Sequence, residues 1–170
     1  MKIFLLGYRC TGKTTIGKIL AERIHHGFLD MDQTIEQQTG SSISDLVRAH
    51  GWDYFRRIEK EILLKTREME DTVVSTGGGI VTDPENLDFL NAAGYIIWLD
   101  ADIKTILSRL NSDPVTLSSR PSLTAKRLAE ETEEVLNIRR PLYEKSAHLR
   151  IETGLSTPKE IVTLIERRLP

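Results

Sequence analysis

The sequence predicts an α/β fold, in which helices cover both faces of a central parallel sheet. Three observations support this prediction. Short aliphatic runs alternate along the chain with longer stretches whose apolar residues recur at helical spacing. The run 3–6 is continuously apolar, which is typical of a strand buried on both faces. The motifs suited to ligand binding follow predicted strands, and parallel sheets bind ligands at the carboxyl ends of their strands.

Five short segments are predicted to form the strands. Each combines aliphatic, aromatic or β-branched residues over a length that is typical of a strand. In chain order they are residues 3–6, 28–30, 72–76, 95–99 and 149–151. Because helical stretches lie between them, the strands should run in the same direction and form a parallel sheet.

Helices are predicted between these strands, where apolar residues recur three and four positions apart. Ser42 begins a pattern that resembles a capping box, and Gly51 should break the helix that follows. Pro158 suits the first turn of the last helix. Pro141 should end the helix before it, because the residue before a proline avoids helical dihedral angles. The predicted helices begin near residues 14, 43, 53, 84, 103, 126 and 158.

Composition excludes several classes of protein. A length of 170 residues suits one compact domain, so we expect a single domain over residues 1–170. The 23 Lys and Arg residues nearly balance the 25 Asp and Glu residues, which gives no general attraction to nucleic acid or to an anionic membrane. Cys10 is the one cysteine, so no intrachain disulfide is possible. No window resembles a signal peptide or a membrane span. We therefore expect a cytoplasmic protein with no nucleic-acid or membrane partner. A monomer is a separate expectation, which composition does not establish.

The strongest motif follows the first predicted strand. Residues 7–14, GYRCTGKT, match the pattern G-x-x-x-x-G-K-[ST]. Such a loop points successive backbone N–H groups at a phosphate, and the helix after it adds its positive end. Lys13 can reach the β- and γ-phosphates, and Thr14 can offer its hydroxyl to Mg²⁺. An ordinary strand–turn–helix junction is the alternative. The motif predicts a nucleoside triphosphate as co-substrate, Mg²⁺ as cofactor, and a nucleotide site, to be read as the ATP site if the co-substrate is ATP, that includes Gly7, Cys10, Thr11, Gly12, Lys13, Thr14 and Thr15.

Two carboxylates end the second predicted strand. Asp30 and Asp32 are two residues apart, so in an extended segment they face the same way. Near a triphosphate, one of them can join the shell of the metal ion, while the other orients or deprotonates an attacking hydroxyl. The alternative is a turn in which Asp32 caps a helix that begins near Thr34.

Three consecutive glycines follow the third predicted strand. They cost backbone entropy, and the gain expected in return is a close approach of the backbone to a ligand. A plain tight turn is the alternative. The glycines are Gly77, Gly78 and Gly79.

Three arginines are candidates for binding an anionic substrate. Arg56 lies near the start of a predicted helix, where Glu59 can fix its guanidinium, although a solvated helix face explains most such pairs. Arg120 lies in the polar stretch 111–123, whose lack of periodicity is typical of a mobile lid or loop. From a lid, an arginine can stabilise charge on a transferring phosphoryl group. Arg139 lies near a predicted helix end, where the helix dipole alone favours a cation.

Together these motifs resemble the shikimate kinase family over nearly the whole chain. The resemblance rests on the phosphate loop followed by Asp30-x-Asp32, Phe55-Arg56-x-x-Glu59, the three glycines, Arg120-Pro121 and Arg139-x-Pro141-Leu142-Tyr143. It implies a three-layer α/β/α P-loop kinase fold with strand order 2-3-1-4-5. It also implies a shikimate-binding region over about 30–60 and a mobile lid over about 111–123. The implied reaction transfers the γ-phosphate of ATP to shikimate, a step of aromatic amino-acid biosynthesis.

The resemblance also implies a role for each candidate. Asp32 would hold the ring hydroxyls of shikimate, and Arg56 and Arg139 would clamp its carboxylate, for which a planar guanidinium is well suited. Gly77, Gly78 and Gly79 would press backbone against the ring. Asp30 and Thr14 would support Mg²⁺. Arg109 and Pro158 would sandwich adenine. The implied catalytic residues are Lys13, Asp32 and Arg120, of which Arg120 also belongs to the ATP site.

The chain departs from the usual pattern of that family at two positions. Cys10 stands where glycine is usual, which bears on the dihedral angles of the phosphate loop. Trp52 stands where glutamate is usual, and we expect this position to be peripheral. Two other functions remain open. A related small-molecule kinase, such as a gluconate kinase, would not need two arginines for a carboxylate. A non-catalytic nucleotide-binding module would not need to keep Lys13 or Asp32.

Overall fold

A computed structural model describes residues 1–112 and 127–170 of the chain. Its sheet has five parallel strands in the order β2-β3-β1-β4-β5, as the resemblance implies. Ile3 of the central strand pairs with Val73 on one side and with Tyr95 on the other. All four strand residues of β1 are buried, as its apolar run predicts. The strands are β1 (Ile3–Leu6), β2 (Gly27–Asp30), β3 (Thr72–Ser75), β4 (Tyr95–Asp100) and β5 (Leu149–Glu152).

Helices cover both faces of this sheet and give the predicted three layers. Alternate residues of β1 point to opposite faces, so Phe4 packs into a core with α3, α4 and α6, and Leu5 packs into a core with α1 and α7. The described helices are α1 (Lys13–Arg23), α2 (Met31–Thr39), α3 (Ile43–Lys65), α4 (Pro84–Ala93), α5 (Ile103–Ser112), α6 (Leu128–Ser146) and α7 (Pro158–Glu166). Two short 3-10 turns lie at Thr66–Glu68 and Ile80–Thr82.

Local sequence signals begin and interrupt these helices largely as predicted. The Ser42 side chain accepts a hydrogen bond from the backbone N–H of Asp45 at the start of α3. Gly51 has φ of 82° and ψ of 171°, so the helical geometry of α3 breaks at this residue. Thr157 and Glu160 form a capping box at the start of α7, with Pro158 in the first turn. Within residues 1–112 and 127–170, no helix is both long enough and apolar enough to span a membrane.

The prediction that Pro141 ends its helix is wrong. Helix α6 continues through Pro141 to Ser146. A proline inside a helix removes one backbone hydrogen bond, so other contacts must hold the turns beyond it. Tyr143 supplies such contacts, because its side chain is fully buried and its ring stacks on Trp98 with centroids 5.8 Å apart. Tertiary packing therefore outweighs the local effect of the proline.

Two further boundaries differ from the predictions. Asp32 does not extend strand β2, because it lies in the first turn of α2. Asp30 rather than Asp32 caps that helix, accepting a hydrogen bond from the Gln33 N–H at 3.2 Å. The polar stretch 111–123 was expected to be a lid, but residues 111 and 112 form the end of α5. The remainder of that stretch, including Arg120, lies outside the described residues.

Candidate functional site

The loop between β1 and α1 forms one wall of the site, at the carboxyl edge of the sheet. Gly7 has φ of 144° and Gly12 has φ of 93°, positive values that residues with side chains rarely adopt. Lys13 Nζ donates hydrogen bonds to Gly7 O at 2.9 Å and to Tyr8 O at 2.8 Å, so its ammonium group lies over the loop. Together with the N-terminus of α1, this group makes the loop suited to an anion.

Cys10 adopts the backbone conformation that the usual glycine would supply. Its φ is 61°, in the left-handed region, and its side chain is half-buried. Thr11 Oγ1 donates to Tyr8 O at 2.9 Å inside the same loop, and Arg109 Nη1 donates to Cys10 O at 3.1 Å. These contacts hold the loop closed around the cysteine, which takes the left-handed conformation although it is not a glycine.

A hydroxyl and a carboxylate meet where α1 and α2 begin. Thr14 Oγ1 donates a hydrogen bond to Asp30 Oδ2 at 2.6 Å. The other oxygen of Asp30 caps α2, which fixes the direction of the carboxylate. Asp30 is buried and lies beside the phosphate loop. Oxygen atoms of this kind are the ligands that Mg²⁺ prefers.

Arg109 also contacts Thr153, which follows the end of β5. Arg109 Nη2 donates to Thr153 O at 2.6 Å, and its Nη1 donates to Thr153 Oγ1 at 3.2 Å. These bonds hold the guanidinium group at the edge of a groove. Thr153 and Ser156 also line this groove, and neither is marked by a sequence motif. The predicted ATP residues that line it are Cys10, Thr11, Gly12, Thr15, Arg109 and Pro158.

A separate pocket opens on the other side of the phosphate loop. The structure brings all six predicted substrate residues together in its lining, from four different parts of the chain. These residues are Asp32, Arg56, Gly77, Gly78, Gly79 and Arg139. Arg9 and Trp52 also line the pocket, and neither was predicted as a site residue. The expectation that Trp52 is peripheral is therefore wrong.

Glu59 fixes Arg56 at one end of this pocket. Arg56 Nη1 donates to Glu59 Oε2 at 2.5 Å, and Glu59 is 1 % exposed. Burial raises the pKa of the Glu59 carboxyl, although the positive charge of Arg56 opposes this effect. A Cβ atom at Gly77 would collide with the Glu59 carboxylate, and one at Gly79 would collide with the Arg56 guanidinium. The glycines therefore make room for the two charged side chains that they face.

Arg139 is the second arginine of the pocket and is more deeply buried. It is 9 % exposed, and burial lowers the pKa of its guanidinium. No carboxylate within residues 1–112 or 127–170 forms a salt bridge with it. The nearby Tyr143 hydroxyl partly opposes this lowering of the Arg139 pKa, and the same hydroxyl donates a hydrogen bond to Gly78 O. Burial raises the pKa of Tyr143 to about 12, so this hydroxyl stays protonated near neutral pH. A buried guanidinium without a carboxylate partner favours an anionic ligand.

The family model described as shikimate kinase matches residues 9–170. The chain belongs to the shikimate kinase family. A shikimate kinase 2 of Yersinia enterocolitica is 40 % identical, over 96 % of this chain and 92 % of that protein. A shikimate kinase of Syntrophus aciditrophicus is 38 % identical, over 98 % of this chain and 89 % of that protein.

Solved structures of shikimate kinases share the fold over the whole chain. The shikimate kinase of Acinetobacter baumannii in complex with shikimate has a TM-score of 0.90 and 30 % identity, covering 99 % of this chain and 95 % of that chain. A gluconokinase of Sinorhizobium meliloti has a TM-score of 0.55 at 15 % identity, which shows a shared fold alone. Membership of the shikimate kinase family thus accounts for both the fold and the ATP dependence that the phosphate loop predicts.

Proposed function

We propose that this chain catalyses transfer of the γ-phosphate of ATP to a hydroxyl of shikimate, giving shikimate 3-phosphate and ADP. The observation that carries the proposal is the pocket beside the phosphate loop, where Arg56, Arg139 and Asp32 lie together. Shikimate is a small ring with one carboxylate and several hydroxyls. The half-buried Arg56 and the buried Arg139 suit the carboxylate, and Asp32 suits the hydroxyls. The reaction is a step of aromatic amino-acid biosynthesis.

The acceptor and the donor would meet where Gly78 packs against the phosphate loop. A Cβ atom at Gly78 would lie 3.2 Å from Gly7 O and 3.6 Å from Arg9 N, so the glycine turn and the loop are in direct contact. We assign Lys13 to the β- and γ-phosphates of ATP. Asp32 orients the attacking hydroxyl and accepts its proton. The two substrates are thereby held for direct transfer, and positioning supplies much of the rate enhancement in such reactions.

Arg56 and Arg139 bind the shikimate carboxylate in this proposal. Glu59 already fixes Arg56, whereas Arg139 has its charge available to a ligand. Gly77, Gly78 and Gly79 let the backbone approach the ring. On the nucleotide side, Arg109 and Pro158 lie across the groove that would receive adenine. The proposed role of Arg120, to stabilise charge on the phosphoryl group from a lid, concerns a residue outside the described ranges.

Magnesium fits the residues beside the loop. Thr14 Oγ1 and Asp30 Oδ2, which lie 2.6 Å apart, are oxygen atoms of the kind that bind Mg²⁺. This ion usually takes few protein ligands and completes its shell with phosphate oxygens and water. Within residues 1–112 and 127–170, no three His, Cys, Asp or Glu side chains are grouped to hold a metal ion. When bound, Mg²⁺ would neutralise charge on the β- and γ-phosphates. Thr14 would bind it directly, and Asp30 would orient the Thr14 hydroxyl.

A substrate screen tests the proposed function. Purified protein with Mg²⁺-ATP should release ADP in the presence of shikimate, and not with gluconate or with nucleoside monophosphates. A Lys13→Met variant serves as the control for contaminating kinases, because it lacks the phosphate-binding ammonium group. Folded protein that binds ATP but releases no shikimate-dependent ADP would contradict the proposal.

We further propose that the protein acts as a cytoplasmic monomer. Residues of one chain line both described sites. Light scattering of the purified protein should give the mass of one chain, 19.3 kDa.

A further inference from the structure

The roles proposed above leave one buried arginine of the site unexplained. Arg9 is the third residue of the phosphate loop, where the general motif allows any residue. It is nevertheless only 7 % exposed, and it lines the substrate pocket together with Asp32 and Arg139. A charged side chain is rarely buried unless it is paired or used. The burial of Arg9 therefore indicates that its charge is paired, used, or both.

Among the described residues, one ion pair and the ring of Tyr8, whose centroid is 5.4 Å from Cζ, hold the Arg9 guanidinium. Its Nη2 donates to Glu131 Oε1 at 3.3 Å, and Glu131 is 1 % exposed. A charge-assisted hydrogen bond of good geometry is about 2.7–2.9 Å long, so this contact is loose. A guanidinium has five N–H donors. Within the described residues, the contact with Glu131 is the one hydrogen bond that Arg9 makes. The pair thus orients Arg9 while leaving donors for a ligand.

Helix α6 shows to which end of the pocket Arg9 belongs. Glu131 and Arg139 are both buried residues of α6 and lie two turns apart, about 12 Å along the axis. Arg139 marks the end that would take the shikimate carboxylate. Arg9, which Glu131 holds, therefore lies toward the other end. The hydroxyls of shikimate lie across the ring from its carboxylate, and the phosphate loop that carries Arg9 packs against Gly78 of this pocket.

We infer that Arg9 is a further catalytic residue, which contacts the phosphoryl group during transfer and retains it on the product. This inference rests on the proposed function. The shikimate hydroxyl oxygen forms a bond to the γ-phosphorus, and the bond from that phosphorus to the β,γ-bridging oxygen breaks. The hydroxyl proton passes to Asp32, and the electron pair of the broken bond leaves with ADP. The Arg9 guanidinium donates to the phosphoryl oxygens, whose charge it can stabilise as other arginines do in phosphoryl transfer.

Arg9→Gln tests this assignment, with Arg140→Gln as the matched control. Arg140 also lies against a buried carboxylate, that of Asp100 at 3.5 Å, but it lines neither pocket. In Arg9→Gln we expect kcat to fall about 10²-fold or more, with the KM for shikimate changed less than about threefold. Calorimetry should show that affinity for shikimate 3-phosphate falls more than about tenfold, while affinity for shikimate itself changes little. The control should retain all these values.

A substitution of Glu131, the ion-pair partner of Arg9, tests whether Arg9 is catalytic or only stabilises the structure. Glu131→Gln keeps an oxygen that can accept from Arg9 but removes the negative charge that competes with a phosphoryl group. Shikimate 3-phosphate should therefore bind to this variant at least as tightly as to the wild type. Equal losses of product affinity in Arg9→Gln and Glu131→Gln would mean that the ion pair acts only as a brace, and would overturn the inference.

Two further measurements keep the test decisive. If Arg9→Gln is unstable in thermal denaturation, Arg9→Lys retains the charge without the planar fork. Its ratio of product affinity to shikimate affinity should fall below that of the wild type, and an unchanged ratio would overturn the inference. Wild-type protein without shikimate-dependent activity would instead refute the proposed function itself, and the two failures are thereby distinguished.

Discussion

Removal of the Tyr143 hydroxyl should separate shikimate binding from ATP binding. In Tyr143→Phe the ring can keep its stacking on Trp98, so the packing volume is nearly unchanged. Gly78 O, in a half-buried residue, loses its donor, and the buried Arg139 guanidinium loses the nearby hydroxyl that favours its charged form. A buried polar group left without its partner costs about 1–3 kcal/mol.

That magnitude sets the expected effects of Tyr143→Phe. The free energy of unfolding, measured in urea, should fall by about 1–3 kcal/mol. Affinity for shikimate should fall by about five- to thirtyfold, because Arg139 and the Gly78 turn both lose orientation. Calorimetry should show ATP affinity changed by less than about threefold, since neither bond lies in the nucleotide groove. Tyr95→Phe is the matched control, because Tyr95 stacks on His148 and lines neither pocket.

The pH dependence gives an independent check of this tyrosine. Burial raises the pKa of Tyr143 to about 12, above the value of about 10 for an exposed tyrosine. The folded protein therefore holds this proton more tightly than the unfolded chain does. Its contribution to stability is complete below about pH 10 and is lost as the pH rises toward 12. Tyr143→Phe should lack this loss. Equal weakening of shikimate and ATP binding, or unchanged shikimate binding, would refute the proposed role of the hydroxyl.

Three further substitutions or modifications test the site. Asp32→Asn should lower kcat by about 10²-fold or more, and a kcat near that of the wild type would leave Asp32 without a catalytic role. Because burial raises the pKa of Glu59, its ionisation should destabilise the fold as the pH rises above about 4.5, and Glu59→Gln should lack this loss in urea titrations. Cys10 lines the nucleotide groove, so Mg²⁺-ATP should slow its alkylation by a maleimide. Equal rates of labelling with and without nucleotide would mean that this thiol acts only in packing.

Most of the fold could be predicted because its signals are local. A continuous apolar run such as 3–6 identifies a central strand, and the phosphate-loop motif fixes the junction between β1 and α1. Pro141 shows the limit of such reasoning. Its effect on α6 depends on Tyr143, whose burial against Trp98 is a property of the assembled core. The strand order came from the family resemblance, since periodicity carries no information about which strands are neighbours.

The pocket was predictable where a motif marked it and not where distant residues meet. Arg56 and Glu59 lie three residues apart, so their pairing could be expected from the sequence. Arg9 and Glu131 are separated by 122 positions, and no local pattern links them. Trp52 was expected to be peripheral. It follows the break in α3 at Gly51, and its side chain lines the pocket. Residues that reach the site through tertiary structure therefore remain hidden to motif analysis.

Cys10 shows why a motif can survive the loss of one of its usual residues. A left-handed conformation costs a non-glycine residue about 1–2 kcal/mol. Such a conformation persists only where the surroundings over-determine it. Here Lys13 donates to Gly7 O and Tyr8 O, Thr11 also donates to Tyr8 O, and Arg109 donates to the carbonyl of Cys10 itself. The hydrogen bonds of the loop therefore hold position 10 in the conformation that phosphate binding needs. Compared with glycine, Cys10 adds a side chain to the nucleotide groove.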